Sequence, residues 1–221
     1  MKRSEVNRYI GQAKAFFAAQ RFNLPAWTSW GPAEWETKGP ECAEIIYNSL
    51  GWDITDFGSG DFENIGLTLI TIRNGNVKRD KKTYCEKIMM VRQNQITPIH
   101  FHWKKMEDII NRGGGLLCMK LWEADEKEGL SPESCTVQID GVTTTVNAGE
   151  VLRLSPGQSI TFEPYMYHTF WAEQGDAMVG EVSTVNDDAN DNRFYQPIGR
   201  FPEIEEDEPR KFLLCNEYSP L

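Results

Sequence analysis

The chain holds three histidines, and two of them, His100 and His102, stand two positions apart in the run IHFHWKKMEDIINRGGG at 99–115. In an extended strand that spacing puts both rings on one face, within reach of a single ion. Glu107 follows after a Trp-Lys-Lys-Met step, long enough to turn into a neighbouring strand, so its carboxylate can face the two imidazoles across the ladder. The remaining histidine, His168, lies in another strand-like segment, EPYMYHTFW. Three imidazoles and a carboxylate would leave one or two positions open on a divalent transition metal, as a catalytic site requires and a structural site avoids. An isolated HxH is weak evidence, since a lone histidine on an apolar strand is usually a satisfied core or surface residue. Here every histidine of the chain serves one hypothesis.

The elements that must position these residues are strands. From Ile65 onward, short runs rich in Val, Ile, Thr and aromatics recur between turn residues, and Asn74-Gly75 and Asp140-Gly141 are hairpin signals. Such spacing indicates an antiparallel sandwich or barrel, with no useful helical period across 65–185. Ahead of it, residues 4–20 predict a helix capped by Ser4, with Val6, Ile10, Ala13 and Phe17 at helical spacing. Residues 23–40, with Trp27, Trp30 and Trp35, predict an ordered loop, and Glu41–Leu50 a second helix stopped by Gly51. The expected organisation is a helical extension over 1–60 packed on a β-barrel over 61–221 with a loop-rich tail. The acidic run EIEEDE at 203–208 predicts a solvated surface.

With 221 residues and 40% hydrophobic content, the chain can bury a large core. A net charge of -10 argues against nucleic acid or an anionic membrane as partner, and a neutral small molecule is the easiest to accommodate. The N-terminal residues do not read as a signal peptide, and no run is apolar enough to span a bilayer. Five scattered cysteines without a CxxC pair predict reduced thiols in a cytoplasmic protein.

His100, His102, Glu107 and Gly114 resemble the first motif of the cupins, HxHxxxxE followed by glycine. Gly149, Pro164 and His168 stand where the second motif would be, but the usual glycine after the proline is absent and the proline is one residue closer to the histidine. The resemblance implies a mainly β fold, the cupin double-stranded β-helix barrel, with His168 as a further metal ligand. More specifically, QITPIHFHWKKMEDIINRGGG together with GEVSTVNDDANDNRF resembles the D-lyxose ketol-isomerase family over nearly the whole chain. That resemblance implies a divalent ion, Mn²⁺ foremost with Fe²⁺, Co²⁺ or Zn²⁺ as alternatives, and interconversion of D-lyxose with D-xylulose and of D-mannose with D-fructose. An Fe²⁺ dioxygenase and a non-catalytic sugar-binding cupin are the competing readings. Exposed sheet surfaces and edges predict a homodimer.

Aldose–ketose isomerisation moves hydrogen between C1 and C2, through an enediol or by hydride shift. The enediol route needs a base and stabilisation of charge on the oxygens. Glu181 is the first candidate base because it interrupts the apolar strand MVGEVSTV, the alternative being a solvent-facing position. Lys105 and Lys87 could bind a sugar oxygen or shuttle a proton, or be surface lysines. Arg193 could bind distal hydroxyls or lie on the surface. Trp103 and Trp171 are the indoles nearest the histidines, with Tyr165 and Tyr167 beside them, while most of the seven tryptophans are expected in the core.

Overall fold

The computed structural model describes residues 1–79 and 81–219. Eleven strands run through these residues: β1 Gly51–Thr55, β2 Leu67–Arg73, β3 Tyr84–Val91, β4 His100–Phe101, β5 Glu107–Glu123, β6 Cys135–Ile139, β7 Val142–Val146, β8 Leu152–Leu154, β9 Ser159–Phe162, β10 Met166–Thr184 and β11 Arg193–Phe194. The main path of the sheet is β1-β2-β3-β10-β5-β9-β6-β7, with β4, β8 and β11 attached to it, and the named strands pair antiparallel. This is the cupin barrel expected from the sequence.

The sheet is buried on two sides. Leu67, Leu69, Met89, Ile109, Leu117, Met119 and Val179 fill the barrel interior. Ile70, Ile72, Ile88, Met90 and Met178 face the other way and pack on the helix α1, Arg3–Ala19, through Val6, Ile10, Ala13 and Phe17. Near-continuous apolar strands such as LTLITIR follow from having a partner on each face. The helix begins two residues earlier than the Ser4 cap implies. Its N-cap is Lys2, and Ser4 donates its backbone N–H and hydroxyl to Asp207, at 2.9 and 2.7 Å.

Four expectations change here. The acidic run at 203–208 is a clamp on α1: Arg3, 0% exposed, binds Glu206 and Glu217, Asp207 holds Ser4, and Glu208 accepts from Asn7. Carboxylates gather there because the N-terminal end of a helix presents unpaired N–H groups and positive potential. The first sixty residues also supply more than helix, since β1 is an edge strand of the barrel sheet. The helix predicted over Glu41–Leu50 is shorter, a 3₁₀ turn at Pro40–Cys42 followed by Ala43–Tyr47. Of the seven tryptophans only Trp52 is buried; the others are half-buried.

One backbone irregularity matters for the site. Along β10, His168, Phe170 and Ala172 face inward, and after the break around Gln174-Gly175 the inward set becomes Ala177, Val179, Glu181 and Ser183. The inward set changes from even to odd numbers. Without that irregularity, strict alternation would send Glu181 and His168 to opposite faces.

Candidate active site

The strand ends converge on a cavity lined by His100, His102, His168, Glu107, Glu181, Lys87 and Lys105, among others. β10 sets His168 directly opposite His100 of β4. Glu107 opens β5, across from Ser183, while Glu181 lies between Lys87 of β3 and Ile109 of β5. One ring nitrogen from each of the three histidines lies within 4.8 Å of the others, a group able to hold a metal ion.

The hydrogen bonds fix the tautomers. His100 Nδ1 donates to the Pro98 carbonyl (2.8 Å), His102 Nδ1 to the Asp191 carbonyl (2.6 Å) and His168 Nδ1 to the Met166 carbonyl (3.1 Å). Carbonyls only accept, so each Nδ1 carries a hydrogen, and Nε2 is the nitrogen that a neutral ring would offer to a metal. Burial, with His168 and His102 nearby, lowers His100 well below the usual imidazole range. Burial lowers His168 to about 4, with His102 adding to it against Glu107.

Glu107 Oε1 points at His168 Nε2 (3.3 Å) and His102 Nε2 (3.4 Å), is buried, and receives no hydrogen bond among the described residues. With the rings neutral, lone pairs of imidazole nitrogens and of a carboxylate oxygen face one another. Such a cluster is repulsive unless a cation lies within it, and its donor set of imidazole and carboxylate suits a divalent transition metal.

Behind the cluster runs an alternating series of charges. Glu107 Oε2 meets Lys105 (2.7 Å), which meets Glu181 (3.0 Å); Glu181 meets Lys87 (3.3 Å), Lys87 meets Asp188 (3.5 Å), Asp188 meets Arg200 (3.2 Å), and Arg200 meets Asp53 (2.5 Å). Burial alone would lower Lys105, yet Glu107, Glu181 and Asp188 more than reverse it and hold the ammonium above its ordinary range. Lys87 is raised likewise, by Asp188 and Glu181 against burial. Burial raises Glu107, but Lys105 and His102 outweigh it and keep its carboxyl well below the usual range. Glu181 Oε1 takes Lys105, Lys87 and Ser183 Oγ (3.2 Å); among the described residues nothing donates to its Oε2.

Of the residues singled out in the sequence, the three histidines, Glu107, Glu181, Lys87 and Lys105 come together. Trp103 and Arg193 do not line the cavity. Both are drawn to Glu128, Trp103 Nε1 donating to Oε1 (2.9 Å) and Arg193 Nε to Oε2 (3.0 Å). Trp171 lines an outer groove, and Tyr167 donates to the Glu128 carbonyl. Asp188, Arg200 and Thr97 line the cavity without having been singled out, and Asp191 anchors its wall. The NDDANDN run carried most of that signal, but acidic and amide residues in a row read equally well as an ordinary loop.

A profile of the D-lyxose isomerase family matches residues 1–218. A D-lyxose/D-mannose isomerase of Escherichia coli O157:H7 is 50% identical over 99% of this chain and 98% of its own length. A D-lyxose/D-mannose isomerase of Serratia proteamaculans is 51% identical over the same shares of the two chains. Among solved structures, the L-ribose isomerase of Cellulomonas parahominis superposes with a TM-score of 0.62 at 17% identity, over 93% of this chain and 98% of that one, a likeness of fold. Similarity of this extent assigns the chain: it belongs to the D-lyxose isomerase family, and it is a sugar isomerase.

Proposed function

We propose that the protein interconverts D-lyxose with D-xylulose, and D-mannose with D-fructose, with a divalent ion held by His100, His102, His168 and Glu107. The observation that carries this reading is the convergence of three histidine ring nitrogens and the Glu107 carboxylate oxygen, beside a carboxylate that is not needed as a ligand. Bound there, the ion supplies Lewis-acid polarisation of the sugar oxygens at C1 and C2. Mn²⁺ suits hard oxygen substrates in this donor set, and Fe²⁺, Co²⁺ and Zn²⁺ share it.

Glu181 is the base. It takes the C2 proton of the open-chain aldose to give an enediolate and returns that proton to C1, while the O2 hydroxyl proton passes to O1 as the ketone forms. Lys105 and Lys87 keep their protons and act as donors. They hold Glu181 and stabilise negative charge on O1 and O2 as it develops. Glu107, tied to Lys105 and turned toward the histidines, is a ligand and a poor base.

A panel of pentoses and hexoses, assayed for ketose with EDTA, with Mn²⁺ and without oxygen, tests the reading. The expected result is EDTA-sensitive, Mn²⁺-restored ketose formation that proceeds anaerobically. Absence of a ketose product from every sugar would sink it, and strict dependence on O₂ would favour the dioxygenase.

For the dimer, the occupant we infer for the outer apolar groove of Ile65, Ile96, Trp122, Trp171, Tyr195 and Ile198 is a second copy of the chain. Lys120 is the one charged residue among the described residues lining it, so two chains of net charge -10 meet there with least repulsion. Light scattering should give a dimer that Trp171→Glu converts to monomer; a monomeric parent would overturn this assignment. A reducing, cytoplasmic setting fits the unpaired cysteines, of which Cys42, Cys85, Cys118 and Cys135 are buried.

A further inference from the structure

We propose that Asp191 is a positioning residue, fixing the turn that carries Lys105 into the cavity and anchoring the ring of His102 at the same point. Asp191 is 7% exposed and does not line the cavity. It sits at the end of a turn in which the Asn190 and Asp191 amides both donate to the Asp187 carbonyl. Its Oδ1 accepts the Lys104 amide (3.0 Å), its Oδ2 the Lys105 amide (2.9 Å), and its own carbonyl the His102 Nδ1–H (2.6 Å).

A carboxylate bridging two successive amides makes charge-assisted bonds to both and fixes the backbone between them. Lysine is a long side chain with several rotatable bonds. The place of Nζ between Glu107 and Glu181, at 2.7 and 3.0 Å, depends on where its Cα is held. Residues 102–106 link β4 to β5, and no regular ladder constrains Trp103–Met106. Asp191 provides that constraint from almost ninety residues away in the chain. The side chain thereby governs Lys105, while the contact to His102 comes from the main chain and survives substitution.

This separation makes the proposal testable, with the kinetic part resting on the isomerase reading above. Asp191→Ala should retain its metal content but lose turnover by about tenfold or more with KM little changed, the order expected of a displaced catalytic group. In a Lys105→Met background the same substitution should cost less than about twofold, since the group it positions is gone. Asp191→Asn, which keeps one acceptor oxygen, should recover part of the loss, and it carries the comparison if the alanine variant fails to fold. Amide exchange at Lys104 and Lys105 should quicken about tenfold or more in either variant. Full additivity with Lys105→Met, parental turnover or loss of metal would overturn the proposal. If the parent forms no ketose from any sugar, the isomerase reading fails separately, and unchanged exchange at these two amides would overturn the positioning role.

Discussion

Replacing Glu181 by glutamine removes a charge and keeps a shape, and the structure sets the size of both consequences. Glu181 is 5% exposed and shared by Lys105 at 3.0 Å and Lys87 at 3.3 Å, each 3% exposed. Breaking a buried ion pair costs about 3–5 kcal/mol when an uncompensated charge remains. Here each ammonium keeps a second carboxylate, Glu107 for Lys105 and Asp188 for Lys87, so the loss in urea denaturation belongs at the low end of that range. The kinetic loss should be larger. Removing a general base costs about 10²–10⁴ in rate, which at 1.36 kcal/mol per tenfold is about 3–5 kcal/mol of barrier.

Glu181→Asp separates the two effects. It keeps the charge but withdraws the carboxylate by about one bond length, and a displacement of ~1 Å can cost ~10²-fold in rate. The aspartate variant should therefore be nearly as stable as the parent and almost as slow as the glutamine one. Both should bind the metal, because Glu181 is not among the converging ligand atoms. Ketose formation, metal content by mass spectrometry and urea midpoints read the three quantities independently. A glutamine variant that turns over within about threefold of the parent, with its metal in place, refutes the argument and moves the base elsewhere in the barrel.

Other outcomes follow from the same geometry. A Cβ at Gly114, where φ is +87°, would come 2.2 Å from the Asp176 carbonyl, so Gly114→Ala should lower Tm well beyond the about 1–3 kcal/mol of backbone strain alone. Gly141→Ala, at φ +79° with nothing within 4 Å, should lose only that strain, and equal melting shifts would contradict the reading. In metal-free protein the His168 imidazole is held down to about 4, against 6.5 in an unfolded chain, so the unfolded state binds more protons between these values. Stability should fall as pH drops from 6.5 toward 4, and Glu107, held low, adds to the loss at more acid pH; a flat denaturation midpoint across that window would count against it. Arg3→Met should destabilise by about 3 kcal/mol, near the low end for a broken buried pair because Glu206 is 43% exposed, with kcat within twofold. A matching fall in kcat would show that the clamp reaches the cavity.

The parts of the site legible in the sequence are those whose spacing is itself the signal. His100 and His102 share a face because strands repeat every two residues, and Glu107 follows at the distance a turn requires. Glu181 announced itself by being a charge inside an apolar strand, although its direction could not be read. Its side depends on the irregularity at Gln174-Gly175, where one change of parity decides between cavity and solvent. Trp103 and Arg193 lay close enough in sequence to the right segments, yet both turn to Glu128, a partner no local pattern identifies.

The same reasoning explains the acidic run and the far end of the charge series. A stretch such as EIEEDE is solvated unless something distant needs its carboxylates, and the N-terminal end of α1 does. Asp53, Asp188 and Arg200 come from an edge strand and two loops, and each looks ordinary by itself. Together with Lys87, Glu181, Lys105 and Glu107 they make four carboxylates against three cations, an excess of one negative charge among these side chains. With the divalent ion proposed above held among the histidines, that excess would become a net positive charge. The pocket would then favour an enediolate over a neutral sugar, a bias that belongs to the assembled series rather than to any one motif.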